Sequence, residues 1–250
     1  MEKSDNNLQK VKSGSVSIVT AAFNASQHLP ALIESLRAQT EKNFEWIVAD
    51  GGSTDDTLEM LGAINDLNIK ITSQTDFGIY DALNRAIRLA SGDYYLVVGA
   101  DDVLFSDAVE EYSKIASCSQ PDIVTAPIMV DGKVLRKKKF PLWLGGAFAL
   151  VSCHSVGCLF KRGLHDKHGY YSNKYPIAAD KLFIKQVYAG GGVIQDAEFV
   201  AGIYGTSGAS SADVLGNLTE SFRIQLETEK ISFLQFLIFI IRIVRNYKKF

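Results

Sequence analysis

V-V-G-A-D-D-V-L-F, residues 97 to 105, runs an apolar strand directly into two adjacent carboxylates, Asp101 and Asp102. A strand buried on both faces loses solvation at its end, so carboxylates there call for a cation or hydrogen-bond donors to compensate them. The strand itself is Y-Y-L-V-V at 94 to 98. Before it, Ile79, Ala82, Leu83, Ala86, Ile87 and Ala90 form one apolar helical face, which S-G-D closes. The same pairing recurs toward the N-terminus. V-S-I-V-T-A-A-F (16 to 23) precedes a helix with Leu29, Leu32, Ile33 and Leu36 in register and Pro30 in its first turn. F-E-W-I-V-A (44 to 49) precedes D-G-G-S-T-D-D, where Ser53 or Thr54 is expected to cap a helix carrying Leu58 and Leu61, and I-K-I-T (69 to 72) gives a third strand. Repeated β-α-β units predict an α/β fold. Its central sheet is mostly parallel, helices cover both faces, and ligands bind beyond the carboxyl ends of the strands.

At that edge three strands deliver acids: Asp50, the Asp76 and Asp81 region, and Asp101 with Asp102. Hard oxygen donors favour Mg²⁺ or Mn²⁺, and Mg²⁺ usually takes one or two protein carboxylates while phosphate oxygens and water complete its shell. The pattern suggests a metal-diphosphate site; taken singly, each Asp also reads as a helix cap or a solvated loop residue. Neither G-x-x-x-x-G-K-[ST] nor G-x-G-x-x-G follows the first strand, so phosphate binding by a Gly-rich loop is not supported.

Composition narrows the classes. The 250 residues suit one main domain, and 26 Lys+Arg against 28 Asp+Glu give a net charge of −2, so no basic field points to nucleic acid. Three cysteines, an odd number, with no signal-peptide pattern before them, fit a reducing, cytoplasmic setting. Residues 1 to 14 are polar and aperiodic, as in a flexible terminus.

Beyond residue 120 the rhythm changes. D-I-V-T-A-P reads as a strand and I-M-V-D-G-K-V-L-R as a hairpin turning at Asp131-Gly132. R-K-K-K (136 to 139) is either an exposed strand end or a contact for an anionic acceptor or lipid head group. Two Cys and three His fall between 153 and 168, but V-G-C-L-F reads as a strand that would point neighbouring ligands apart, against zinc. A-G-I-Y-G-T-S-G-A-S-S (201 to 211) is a lid or a connector. In Y-P-I-A-A-D-K-L-F-I-K-Q-V (175 to 187), Asp180 opens an amphipathic helix, where the helix dipole alone would favour an acid. At the C-terminus, the apolar run within 231 to 250 is too short to span a bilayer. Leu234, Leu237, Ile238 and Ile241 share a helical face, with Arg242, Arg245, Lys248 and Lys249 following. That is the pattern of an interfacial helix on anionic lipid, or of one docked on the core or on a second copy in a homodimer.

Four segments in order, V-S-I-V-T-A-A-F-N, W-I-V-A-D-G-G-S-T-D-D-T, D-F-G-I-Y-D-A-L-N-R-A-I and G-D-Y-Y-L-V-V-G-A-D-D, resemble family 2 glycosyltransferases of the GT-A fold. Within that family the likeness is strongest to bacterial enzymes that build surface polysaccharides and O-antigens, and it covers about residues 15 to 205. The resemblance implies a nucleotide-sugar-binding half at 15 to 120 and an acceptor-binding half at 121 to 230, while the pattern of 231 to 250 itself reads as an amphipathic membrane-associating helix. It implies that Thr20, Ala21 and Phe23 line the base pocket, that Asp50 meets the base or ribose, and that Asp81 lies near the same nucleotide. Asp101 would face the ribose and Asp102 would hold the metal, Mn²⁺ or Mg²⁺, with Gly99 replacing the family's common Asn. Asn84 and Arg85 match a pair that contacts donor sugar or phosphate; Arg85 also reads as a plain solvated charge. His154 matches an acceptor-side His, although its usual Gln neighbour is Ser155. Asp180 matches the catalytic base.

The function so implied is inverting transfer of a sugar from a nucleotide-diphosphate sugar to a polyprenyl-linked saccharide, by a cytoplasmic enzyme peripheral at the inner face of the cell membrane. Two alternatives stand beside it: a sugar-phosphate nucleotidyltransferase and a non-catalytic sugar-nucleotide-binding subunit. The first usually carries a Gly-rich, Arg/Lys-bearing loop after its first strand, which A-A-F-N-A-S-Q-H lacks.

Overall fold

The computed structural model describes residues 14–152, 155–206 and 213–249, so the predicted loose N-terminus lies almost wholly outside the described residues. The chain runs β1 (Val16–Ala22), α1 (Leu29–Arg37), β2 (Phe44–Asp50), α2 (Thr57–Gly62), β3 (Ile69–Ser73), α3 (Ile79–Leu89) and β4 (Tyr94–Val97). There follow β5 (Val103–Leu104), α4 (Ala108–Ser119), β6 (Ile123–Thr125), β7 (Ile128–Val130), β8 (Lys133–Leu135) and α5 (Leu142–Gly145), which runs into a 3₁₀ turn at Gly146–Ala149. The last elements are β9 (Cys158–Lys161), α6 (Leu164–His168), α7 (Ala179–Ala189), β10 (Ile194–Asp196), β11 (Gly202–Ile203), α8 (Val214–Thr228) and α9 (Ser232–Asn246).

Seven strands form the main sheet in the order β10-β6-β9-β4-β1-β2-β3. It is parallel except for β9, which lies antiparallel between β4 and β6. Strand alternation divides the core between the two faces. Ile18, Trp46, Val48 and Leu96 pack against Leu29, Leu32 and Leu36 of α1 and Tyr112 of α4, while Val19, Ile47, Tyr95 and Phe160 pack against α3 and α7. A smaller sheet, β5-β11-β7-β8, includes the predicted hairpin. Asp131 and Gly132 both take positive φ there, 49° and 72°, as a two-residue hairpin turn demands.

The expected cap of α2 is corrected. That helix starts at Thr57 behind Asp56, because Ser53 is bonded to Asp50 and the Thr54 N–H donates to Asn24 Oδ1.

The C-terminal helix α9 forms, but it turns its polar side inward. Gln235 is buried and donates to the Trp143 carbonyl at 3.0 Å, and Arg242 donates to the Leu144 carbonyl at 2.5 Å. Arg242, read in the sequence as one of the terminal cations, is held to the protein by the Leu144 carbonyl. Ile238, one of the residues on the shared apolar face, is buried, and Phe222 of α8 stacks on Phe239 at 4.4 Å. Phe233, Phe236, Leu237, Ile240, Ile241 and Val244 remain exposed. Among the described residues no helix is long and apolar enough to cross a membrane.

Candidate active site

Beyond the carboxyl ends of β1 and β4 lies a hollow of about 110 Å³, walled by Ala21, Tyr80, Asp101, Asp102, Asp180 and Gly205 among others. Two acidic groups far apart in sequence thus share one cavity.

Asp102 is the better-held member of the β4 pair. It is buried, and its carboxylate accepts from the Gly99 N–H (2.7 Å), the Ser155 hydroxyl (2.6 Å) and the Gly205 N–H (2.8 Å). Burial pushes its pKa up to about 6 against those three donors, and the neighbouring Asp101 charge adds to the rise. A buried carboxylate lifted this way gains from a nearby cation. Among the described residues no group of three or more His, Cys, Asp or Glu converges on one point. The adjacent carboxylates Asp101 and Asp102 are the residues of this hollow that could hold a hard ion drawing its remaining ligands from diphosphate and water. Asp101 packs against Gly205, where a Cβ would overlap its carboxyl and its main-chain oxygen.

Lining the same hollow, Asp180 sits in the first turn of α7, 7% exposed. Its Oδ1 accepts from the Tyr80 hydroxyl at 2.6 Å and from the Lys181 N–H at 2.9 Å. Burial beside Asp180 drives the Tyr80 phenol well above its ordinary pKa, so it stays a donor. The carboxylate is held on a rigid element, as a proton-accepting group requires.

The remaining predicted residues fall in different places. Ala21 lines the hollow, and Phe23, 65% exposed, stands at the same sheet edge. Thr20 does not line it. The two-residue period sends its side chain to the opposite face, where its hydroxyl accepts from Trp46 Nε1 at 3.0 Å. Asp50 ends β2 and shares the Trp46 and Val48 face. Its carboxylate accepts from the Ser53 hydroxyl (2.5 Å), the Ser73 hydroxyl (2.6 Å) and the Gly52 N–H (2.9 Å). Burial raises its pKa, and these donors outweigh the rise, leaving it below the usual range. Asp81 accepts weakly from the Phe77 N–H at 3.3 Å in the first turn of α3.

Asn84 is engaged within the protein. Its amide donates to the Tyr171 carbonyl (2.9 Å) and accepts from the Tyr171 N–H (3.0 Å), so a buried side chain expected at the donor locks α3 to the chain before α7. Arg85 donates to the Asp50 carbonyl at 2.7 Å, while its Nε and Nη1, both buried, have no partner among the described residues. His154 lies outside the described residues, as does most of the Gly/Ser-rich 201 to 211 segment.

Sequence reading missed Tyr80, Ser155 as an Asp102 donor, and Gly205. Only Tyr80 carried a signal: a hydroxyl-bearing ring on the helix face that Leu83 and Ile87 bury.

Residues 17–172 match the family described as Glycosyl transferase family 2. The chain belongs to that family. It is 33% identical over 175 residues to a PGL/p-HBAD biosynthesis glycosyltransferase of Mycobacterium bovis (strain BCG / Pasteur 1173P2), an alignment covering 66% of each chain. It thus spans just under two thirds of that relative's length. Solved structures share its fold. The S. aureus TarS 1-349 complex with UDP-GlcNAc superposes with a TM-score of 0.72 at 18% identity, covering 94% of this chain and 73% of that one. A mannosyltransferase from Pyrobaculum calidifontis, in complex with GDP-Man and Mn²⁺, superposes with a TM-score of 0.66 at 15% identity, covering 93% and 75%. At such identities the likeness establishes the GT-A fold: a mixed α/β chain around a mostly parallel sheet with helices on both faces.

Proposed function

We propose that this protein is an inverting, metal-dependent glycosyltransferase of surface-glycan assembly, taking its sugar from a nucleoside-diphosphate donor. One observation carries the reading: Asp180 and the Asp101/Asp102 pair line a single hollow at the carboxyl edge of the sheet. Inversion needs an acceptor hydroxyl and a departing diphosphate on opposite sides of the anomeric carbon, and a single cavity lined by both a carboxylate base and an acidic pair can serve the two ends of that displacement. Asp180 takes the proton of the attacking hydroxyl, with Tyr80 fixing Oδ1 so that the carboxylate keeps its orientation. Asp101 and Asp102 would hold Mn²⁺ or Mg²⁺, which when bound neutralises the charge on the leaving nucleoside diphosphate. Ala21 and Phe23 flank the base, and Asp50 shapes its floor through the loop it anchors. Arg85, with two buried donors unmatched, is the donor-side cation.

The acceptor we assign is a saccharide on a polyprenyl carrier at the cytoplasmic face of the membrane. The support is the outward apolar face of α9, built from Phe233, Phe236, Leu237, Ile240, Ile241 and Val244. Ile240→Ser with Val244→Ser should halve or abolish vesicle sedimentation at unchanged melting temperature; unchanged vesicle binding, or loss of a dimer on gel filtration instead, would refute the membrane assignment.

For the chemistry, Asp180→Asn should cut sugar transfer by at least a thousandfold while nucleotide affinity with Mn²⁺ stays within threefold. Nucleotide binding without turnover by the wild type on any saccharide acceptor would leave a binding subunit, and formation of a nucleotide sugar from a sugar phosphate would make it a nucleotidyltransferase.

A further inference from the structure

A second and larger cavity, about 700 Å³, lies between the α5–3₁₀ segment, α7, α8 and α9. Five cations line it, Lys138, Lys181, Lys185, Arg242 and Arg245, and no Asp or Glu is among the lining residues. Lys181 and Lys185 are only 7% and 4% exposed. Such charges are costly to bury unless an anion answers them. The Lys181 ammonium reaches only neutral acceptors among the described residues, Asn217 Oδ1 and the Ser221 hydroxyl. The Arg242 guanidinium donates to a main-chain carbonyl, and Lys185 alone has a carboxylate, Glu229 at 2.5 Å, beside Gln225. The other acids nearby are engaged elsewhere. Glu220 accepts from the Ile177 and Ala178 N–H groups, and Asp180 faces the transfer hollow; both pull on Lys181 from a distance. Burial depresses the pKa of Lys181, Lys185 and Arg242 alike, the mark of cations short of counter-charge.

We propose that this cavity is an anion site for a phosphate or diphosphate group. Its volume lies in the range of ordinary ligand pockets, and its charge exceeds what the protein neutralises. Lysines and arginines converging from several elements are how proteins hold multiply charged phosphates. The placement gives the site a consequence: Asp180 and Lys181, consecutive in α7, face the transfer hollow and this cavity respectively. The α9 residues Arg242 and Arg245 line it on a helix whose other side is apolar. The anion site stands without the function proposed above; only the identification of its occupant as the acceptor's own diphosphate rests on that function.

The test is calorimetric titration of the full chain with inorganic pyrophosphate in EDTA, which removes metal-dependent binding at the donor hollow. Lys138 and Arg245 are exposed on the rim, so the double variant Lys138→Gln/Arg245→Gln keeps the fold, as circular dichroism would check. We expect saturable binding that this variant weakens tenfold or more, that Lys181→Met abolishes, and that Asp102→Asn leaves unchanged. Two arms separate the sources: geranyl diphosphate binding at least tenfold tighter than pyrophosphate identifies a lipid-borne group, and equal affinities identify a free anion, the site standing in both. No binding at millimolar pyrophosphate, equal affinity in the rim variant, or loss of binding in Asp102→Asn would overturn the proposal.

Discussion

The Tyr80 hydroxyl donates to Asp180 Oδ1 at 2.6 Å across 100 positions of sequence, so α3 sets the orientation of an acid on α7. The Tyr80 ring packs on Tyr171 at 5.2 Å, and Tyr80→Phe would retain that contact while removing the hydroxyl. A hydrogen bond to a charged group is worth about 1.5–3 kcal/mol. Tyr80→Phe should therefore lower kcat at least tenfold with donor affinity unchanged, read by steady-state kinetics alongside nucleotide titration. A wild-type kcat in this variant would show that Asp180 needs no such support.

Gly205 should tolerate no side chain. Its N–H donates to Asp102 at 2.8 Å, and a Cβ at this position would overlap Asp101. Because part of that overlap is with main-chain oxygen, rotamer changes cannot relieve it. Gly205→Ala should displace the acidic pair, reducing transfer a hundredfold or more and weakening Mn²⁺-dependent nucleotide binding. Gly62→Ala, with open space around it and, like Gly205, no positive φ, is the matched control.

Asn84 makes the opposite prediction from a donor contact. Both ends of its amide pair with the main chain of Tyr171, and truncation leaves a buried N–H and C=O unanswered. Each such group costs about 1–3 kcal/mol. Asn84→Ala should lower the unfolding free energy by roughly 2–6 kcal/mol in urea, with KM for the donor changed less than threefold in the folded fraction. A large KM effect at wild-type stability would return Asn84 to the donor site.

The comparison of Asn84 with Asp102 shows where sequence reading stops. Both stood in recognisable segments, and the paired acids at the end of an apolar strand were legible because burial makes such an ending costly without a ligand. Which way a side chain points was legible only where strand period settles it, and applied to β1 that period separates Thr20 from Ala21. Asn84 could not be read so, since its partner is the main chain of Tyr171, distant in sequence. The antiparallel insertion of β9 was equally hidden: V-G-C-L-F looks the same in either direction, and pairing with β4 and β6 decides it. For α9, helical spacing gave the element but not its orientation, which follows from two carbonyls, those of Trp143 and Leu144, that need donors from Gln235 and Arg242.

Glu45 gives a pH test remote from the site. It is buried on β2, where its carboxylate accepts from Lys70 (2.7 Å), the Ser17 hydroxyl (2.6 Å) and the Ser91 N–H (2.6 Å), joining β1, β2, β3 and the turn before β4. Burial raises its pKa, but the Lys70, Ser17 and Ser91 donors overcome this and bring it down from 4.5 to about 2. A group whose folded pKa is depressed stabilises the fold above its unfolded value and loses that contribution as pH falls through the folded one. Glu45 should thus contribute roughly 2–3 kcal/mol at neutral pH by linkage, a contribution that disappears between about pH 4.5 and pH 2. Glu45→Gln should lower stability at pH 7 by about that amount, and the gap between wild type and variant should close as pH is lowered through this window. Urea titrations at pH 7, 4.5 and 3 would measure it; a gap that stays constant across all three would assign the loss to packing around the glutamine rather than to the charge.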